Sequence, residues 1–131
     1  MVDELRRGIE RGYSFLKPVL NATEDSEGWL KILVLKSPEE SQLLQEINEF
    51  LHPGEASCIA LAISRNMILV TDDLAARRVA SRRNVRLTGT VGILVEMVYS
   101  GILSIEDGNA LLKEMIDRGY RSPCNCLDEF V

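Results

Sequence analysis

Met67-Ile68-Leu69-Val70-Thr71-Asp72-Asp73 decides the fold. An apolar run bounded by polar residues predicts a strand over 67–71, and this one ends on two adjacent carboxylates. The flanking segments alternate with it. Upstream, Ala56 to Ile63 is small and apolar nearly all round, which predicts a helix packed closely against its neighbours. Downstream, residues 73–83 read as helix and Val85-Arg86-Leu87-Thr88 as a second short strand. Gly89-Thr90 leads into a helix with Val91, Leu94, Val95 and Val98 as its stripe, ended by Gly101. Ser104-Ile105-Glu106-Asp107 opens the next, which carries Ala110, Leu111, Met115 and Ile116 and stops at Gly119. Strands alternating with helices predict an α/β domain, a three-layer α/β/α arrangement with a short, mainly parallel sheet. In such sheets ligands bind at the carboxyl ends of the strands, where Asp72 and Asp73 stand.

Toward the N-terminus the pattern is less regular. Trp29-Leu30-Lys31-Ile32-Leu33-Val34-Leu35 reads as a buried strand. Ser37-Pro38-Glu39-Glu40 is a helix start, with Ser as cap, Pro at the first helical position and Glu three residues after the cap. That helix carries Leu43, Leu44, Ile47 and Phe50 on one face. His52-Pro53-Gly54 breaks the chain, and a helix begins near Glu55. Residues 2–20 predict helix interrupted at Gly8 and Gly12, and Asn21 to Gly28 a polar loop holding Glu24, Asp25 and Glu27. Residues 120–131 read as a fraying turn or short helix.

The chain has 131 residues, 46% of them hydrophobic, which suits one domain over 1–131 with a real core. It is too apolar for a disordered chain. It has no apolar run of membrane-spanning length, about 18 residues. No apolar signal-peptide core follows Met1, so a cytoplasmic protein is expected. Three cysteines, Cys58, Cys124 and Cys126, do not suggest a disulfide framework. One histidine, His52, leaves a Ser-His-Asp hydrolase without support. Net charge is −5, which excludes a globally basic nucleic-acid binder but not a local patch. Residues 74–89 hold Arg77, Arg78, Arg82, Arg83 and Arg86 and no acid.

An ordinary account of the acids exists: Asp73 caps the helix that follows it, and Glu55 complements a helix N-terminus. Their order is more specific than either residue alone. Glycine, glutamate, apolar helix, apolar strand and aspartate pair would bring Glu55, Asp72 and Asp73 to one end of the sheet. Three carboxylates without histidine suit Mg²⁺ or Mn²⁺. Such a cluster can activate water for phosphodiester cleavage, with arginines on the next helix holding the nucleic-acid backbone.

Leu51-His52-Pro53-Gly54-Glu55-Ala56, Leu69-Val70-Thr71-Asp72-Asp73, Arg77-Arg78 and Thr88-Gly89-Thr90-Val91-Gly92-Ile93-Leu94 together resemble the PIN domain, over roughly residues 29–120. The likeness is to PIN-like prokaryotic proteins similar to the toxin ribonucleases of toxin–antitoxin pairs. The resemblance implies Mg²⁺- or Mn²⁺-dependent cleavage of RNA, with an antitoxin protein as a possible partner. It gives Glu55, Asp72 and Asp73 the catalytic and metal-binding places and Thr71 a supporting hydroxyl. On charge, Arg77, Arg78, Arg82 and Arg83 are the expected RNA-binding residues, and Thr90 reads as the structural cap of the following helix. PIN domains begin with a central strand ending in an aspartate. No such segment precedes residue 20, so the chain reads as beginning after that strand. Two consequences are expected: weakened metal binding, and a bare sheet edge. The edge would be covered by the 29–35 strand pairing beside 67–71, or by a homo-oligomer. The alternative function is a non-catalytic module binding RNA or a protein partner.

Overall fold

The computed structural model describes residues 2–24 and 28–131; Asp25 and Glu27 of the expected polar loop lie outside them. The elements are α1 (Val2–Glu10), α2 (Lys17–Glu24), α3 (Pro38–Asn48), α4 (Pro53–Ser64), β1 (Leu69–Val70), α5 (Leu74–Arg82), β2 (Leu87–Thr88), α6 (Thr90–Tyr99) and α7 (Ile105–Asp117), with a short 3₁₀ turn at Ser14–Leu16. The α/β class holds: α4, α5 and α6 pack against a two-stranded sheet, and β1 and β2 run parallel in the register Leu69 to Leu87 and Val70 to Thr88. Their link through α5 is a β–α–β unit, as parallel strands require. The predicted polar loop is shorter than expected, because α2 continues through Asn21 to Glu24.

Local signals set the helix ends. The Ser37 hydroxyl accepts from the Glu40 N–H at 3.2 Å, and the Glu40 carboxylate accepts in return from the Ser37 N–H at 3.3 Å. This reciprocal cap satisfies two otherwise orphaned amides at the start of α3. Glu40 does more than cap. It is only 3% exposed, and it also accepts from the Lys36 N–H at 2.6 Å, from Ser64 Oγ at 3.2 Å and from Arg65 Nε at 2.7 Å. Its carboxyl is held down to about 2, chiefly by Arg65. The pair ties the start of α3 to the end of α4. Pro53 occupies the first turn of α4, so that helix starts two residues before Glu55. At the ends of α6 and α7, Gly101 (φ 70°) and Gly119 (φ 103°) turn the chain into the left-handed region that glycine adopts without strain.

Two apolar clusters make the core. The first joins Ile47 of α3, Ala56, Ile59 and Ala60 of α4, Leu69 of β1, and Ala76 and Ala80 of α5. Small residues on α4 and α5 let the helices approach the sheet closely, as the composition of residues 56–63 predicts. The second joins Val91 and Leu94 of α6, Leu112 of α7 and Leu127. Leu127 is fully buried, so the C-terminal segment is not a fraying tail. Asn109 of α7 holds it: Oδ1 accepts from the Leu127 N–H at 2.7 Å, and Nδ2 donates to Asp128 at 2.8 Å.

Two further expectations are corrected. Residues 29–35 form no strand. Trp29 is 80% exposed, and Ile32, Leu33 and Val34 are also exposed; only Leu35 packs against the first cluster. An apolar run reports fitness for a pleated surface but does not supply a neighbouring strand. Here the backbone is anchored instead by Arg65, whose Nη2 donates to the Val34 carbonyl at 2.9 Å. The 29–35 segment therefore does not lie beside 67–71 as a strand. Phe50 is likewise 70% exposed, because α3 ends at Asn48 before the predicted face reaches it.

Candidate functional site

The carboxyl ends of β1 and β2 open into a recess of about 670 Å³. Asp72, Asp73 and Arg77 line one side, and Tyr120, Arg121 and Ser122 another. The βαβ geometry puts the acids there: β1 stops at Val70, Thr71 crosses the sheet end, and α5 starts immediately after Asp73. Thr71 supports Asp73 through its hydroxyl, which accepts from the Asp73 N–H at 3.2 Å.

Each aspartate has a structural partner. Asp73 caps α5, its Oδ1 accepting from the Ala76 N–H at 2.7 Å. Asp72 receives both donors of Thr90: the backbone N–H reaches Oδ1 at 2.9 Å and the hydroxyl reaches Oδ2 at 2.5 Å. Thr90 is therefore not the cap of α6. Gly89 holds that position, and Thr90 uses its side chain to grip Asp72. Gly89 is what permits the grip: a Cβ there would collide with Asp72 Oδ1 and stand 3.1 Å from Arg77 Nη1. Burial pushes the Tyr120 phenol up, and the charge on Asp72 adds to the effect.

The arginines divide. Arg77 turns inward, and its Nη1 donates to the Thr71 carbonyl at 2.8 Å and the Thr88 carbonyl at 3.1 Å. It ties the ends of the two strands together, which is a structural task the sequence pattern assigned to RNA. Arg83 is paired with Glu46 of α3 at 3.2 Å. Arg86 donates to the Asn66 carbonyl at 3.0 Å. Arg78 and Arg82 are exposed, four residues apart on one face of α5, and neither takes a carboxylate partner among the described residues.

Glu55 is half-buried in the first turn of α4 and does not line the recess. Among the described residues no group of three or more His, Cys, Asp and Glu side chains stands close enough to hold a metal ion. The three carboxylates that share an order in the sequence are thus not gathered. Burial raises the Cys58 thiol, one turn after Glu55, so it offers no reactive thiolate. Tyr120, Arg121 and Ser122 escaped the sequence reading. The signal for them was Gly119 followed by a segment ending in Leu127, an apolar anchor that folds the chain back toward Thr90.

The structure thus has a parallel β–α–β unit with adjacent carboxylates at the strand ends, beside a basic helix, as the sequence led one to expect of an α/β domain of this kind. Comparison with known families agrees. The profile of the PIN domain family matches residues 7–131, and the chain belongs to that family. The match reaches well beyond residues 29–120, taking in α2 and the docked C-terminal segment. No curated protein and no solved structure matches the chain. PIN domains are nuclease-type domains that generally use divalent metals and act on RNA. Among the described residues Glu55 does not join Asp72 and Asp73 in a group close enough to hold that ion, while Asp73 accepts from the Ala76 N–H and Asp72 from Thr90. No helix among the described residues is long and apolar enough to cross a membrane.

Proposed function

We propose that this protein binds RNA, with the outer face of α5 carrying the phosphate backbone and the recess at the strand ends receiving the adjoining nucleotide. The observation that carries this reading is the pair Arg78 and Arg82. Both are exposed and unpaired among the described residues, on the helix whose N-terminus opens the recess. Unpaired guanidinium groups at this spacing meet successive phosphates without first giving up an internal partner. Arg121 and Ser122 extend donors around the far side of the recess.

Fluorescence anisotropy with labelled single-stranded RNA tests this. Affinity should fall linearly in log–log against salt, and Arg78→Ala with Arg82→Ala should flatten the slope by about 1.4, at roughly 0.7 per phosphate contact. A salt-independent affinity, or a slope unchanged in the double variant, refutes it.

A second reading is the metal-dependent ribonuclease, as the toxin of a toxin–antitoxin pair. What favours it is that Asp72 and Asp73 open on the same recess. Glu55, Asp72 and Asp73 would be its acids and Mg²⁺ or Mn²⁺ its ion. The separation of Glu55 from the pair favours binding over cleavage. Manganese titration by calorimetry, on wild type and Asp73→Asn, decides between them. Saturable binding lost in the variant, with RNA cleavage, establishes the nuclease; no binding in either leaves the binding module.

A further inference from the structure

The recess at the strand ends brings acceptors, a cation and apolar surface to one place. Asp72 and Asp73 line its strand-end side. Asp73 uses Oδ1 for the α5 cap, and its other oxygen takes no hydrogen bond among the described residues. Asp72 receives one Thr90 donor on each oxygen, and each oxygen keeps a second lone pair. From the segment after α7, Arg121 lines the recess, exposed and without a carboxylate partner among the described residues. Much of the remaining lining is apolar. Tyr120 is half-buried and anchored in the second cluster, Pro123 follows it, and Leu74 is 68% exposed in the first turn of α5. The volume of about 670 Å³ lies within the range of about 300–1,000 Å³ that small organic ligands occupy.

This lining discriminates among the parts of an RNA chain. Without a bridging cation, a phosphate against Asp72 and Asp73 would set like charges side by side. The group that enters there has to bring donors, and an aromatic ring beside it suits a flat base, since every base has a face to stack. The four bases differ in what their edges offer. Guanine carries two adjacent donors, N1–H and the N2 amino group, and two adjacent acceptors, O6 and N7, to which arginine is the usual bidentate partner. Adenine and cytosine set one amino donor beside a ring-nitrogen acceptor that a carboxylate repels. Uracil has a single N–H between two carbonyls. Guanine alone answers both the carboxylates and the guanidinium.

We propose that the recess receives one unpaired guanine base of the RNA, stacked on Tyr120, with its N1–H and N2 amino group donating to the carboxylates of Asp72 and Asp73 and its O6 and N7 facing Arg121. The base must be unpaired, because pairing occupies the edge that the carboxylates read. The inference rests on the RNA-binding reading and deepens it: α5 holds the backbone and sets the salt dependence, while the recess selects the base.

Fluorescence anisotropy at one fixed salt concentration tests this with short oligouridine RNAs carrying a single central guanosine, inosine or adenosine, or none. The guanosine RNA should bind at least about tenfold tighter than the all-uridine RNA, within what one bidentate base contact discriminates. Inosine keeps N1–H, O6 and N7 but lacks the N2 amino group, so its RNA should fall between. Asp73→Asn and Arg121→Ala should each narrow the guanosine-to-uridine ratio; both side chains are exposed, so circular dichroism should report an unchanged fold. Tyr120→Ala should weaken the guanosine RNA about tenfold, and Tyr120→Phe, which keeps the ring, should restore it to within about twofold. Equal affinity for all four RNAs with the salt slope intact overturns the base selection and leaves RNA binding standing. No binding of any RNA overturns both. Preference for another base, or a ratio unmoved by Asp73→Asn and Arg121→Ala, also overturns the proposal. So does guanosine monophosphate competing as well as the guanosine RNA, which would assign the recess to a free nucleotide.

Discussion

Replacing Gly89 by alanine puts the Asp72–Thr90 grip under direct strain. The backbone permits the change: at φ −153° and ψ −169°, Gly89 is extended, as any residue can be. Removing glycine's freedom from the unfolded chain would even stabilise by about 0.4–1 kcal/mol. The obstacle is space. A Cβ at 89 collides with Asp72 Oδ1 and lies 3.2 Å from the Thr71 carbonyl. Asp72 must then swing away and surrender at least one bond from Thr90. A hydrogen bond to a charged group contributes about 1.5–3 kcal/mol, and the exposure of Asp72 argues for the lower end. Crowding against Thr71 and Arg77, both fixed by the strand-end ties, costs about 1–3 kcal/mol. The net expectation is a loss of about 2–3 kcal/mol, or roughly 8–12 °C in Tm at about 4 °C per kcal/mol for a domain of this size. Thermal unfolding by circular dichroism on four proteins measures it: wild type, Gly89→Ala, Asp72→Ala, and the double variant. With the carboxylate gone, the alanine Cβ meets only the milder crowding of Thr71 and Arg77, so Gly89→Ala should cost at least about 1 kcal/mol less in that background. An equal penalty in both backgrounds, or a stabilised Gly89→Ala, refutes the account.

Three other outcomes follow from the same geometry. Leu127→Ala should destabilise by about 2–5 kcal/mol by opening a cavity against Leu112, and denaturant melts against wild type will show whether the C-terminal segment is part of the core. Asp73→Asn should keep the α5 cap to within a few tenths of a kcal/mol, while Asp73→Ala should lose about 1; similar losses in both would mean that capping is not what Asp73 contributes. Glu40 ionises at about 2 when folded, against an ordinary 4.5, so its pairing stabilises the fold above the ordinary value and is lost as pH falls toward 2. Glu40→Gln should flatten that acid branch of stability against pH, followed by circular dichroism because the only tryptophan, Trp29, is too exposed to report folding.

Features written in a few consecutive residues were legible in the sequence. The Ser37-Pro38-Glu39-Glu40 cap, the Asp73 start of α5 and the stops at Gly101 and Gly119 each act over one helical turn, and each formed as read. The apolar β1 and β2 runs were also clear, though only two residues of each entered the ladder. What depended on distant partners was not legible. Trp29 to Leu35 has strand composition, but a ladder needs a neighbour that no local pattern provides. Arg77 looks like its neighbour Arg78; only the two carbonyls beneath it, one from each strand end, make it structural. Leu127 stands out as an apolar residue after Gly119, but nothing local says that Asn109 and Leu112 receive it. Sequence order placed Glu55 near the right end of α4 without fixing its distance from Asp72.

The two apolar clusters share no buried residue, and α6 follows β2 with only Gly89 between them. The core thus has two halves, one of α3, α4, α5 and the sheet, the other of α6, α7 and the C-terminal segment. The Asp72–Thr90 bonds cross the seam between them, and Tyr120 faces Asp72 from the second half. Native-state hydrogen exchange should resolve two tiers of opening free energy rather than one. Anything that occupies the recess touches both halves at once, so a bound ligand would act as a rivet, drawing the two tiers together.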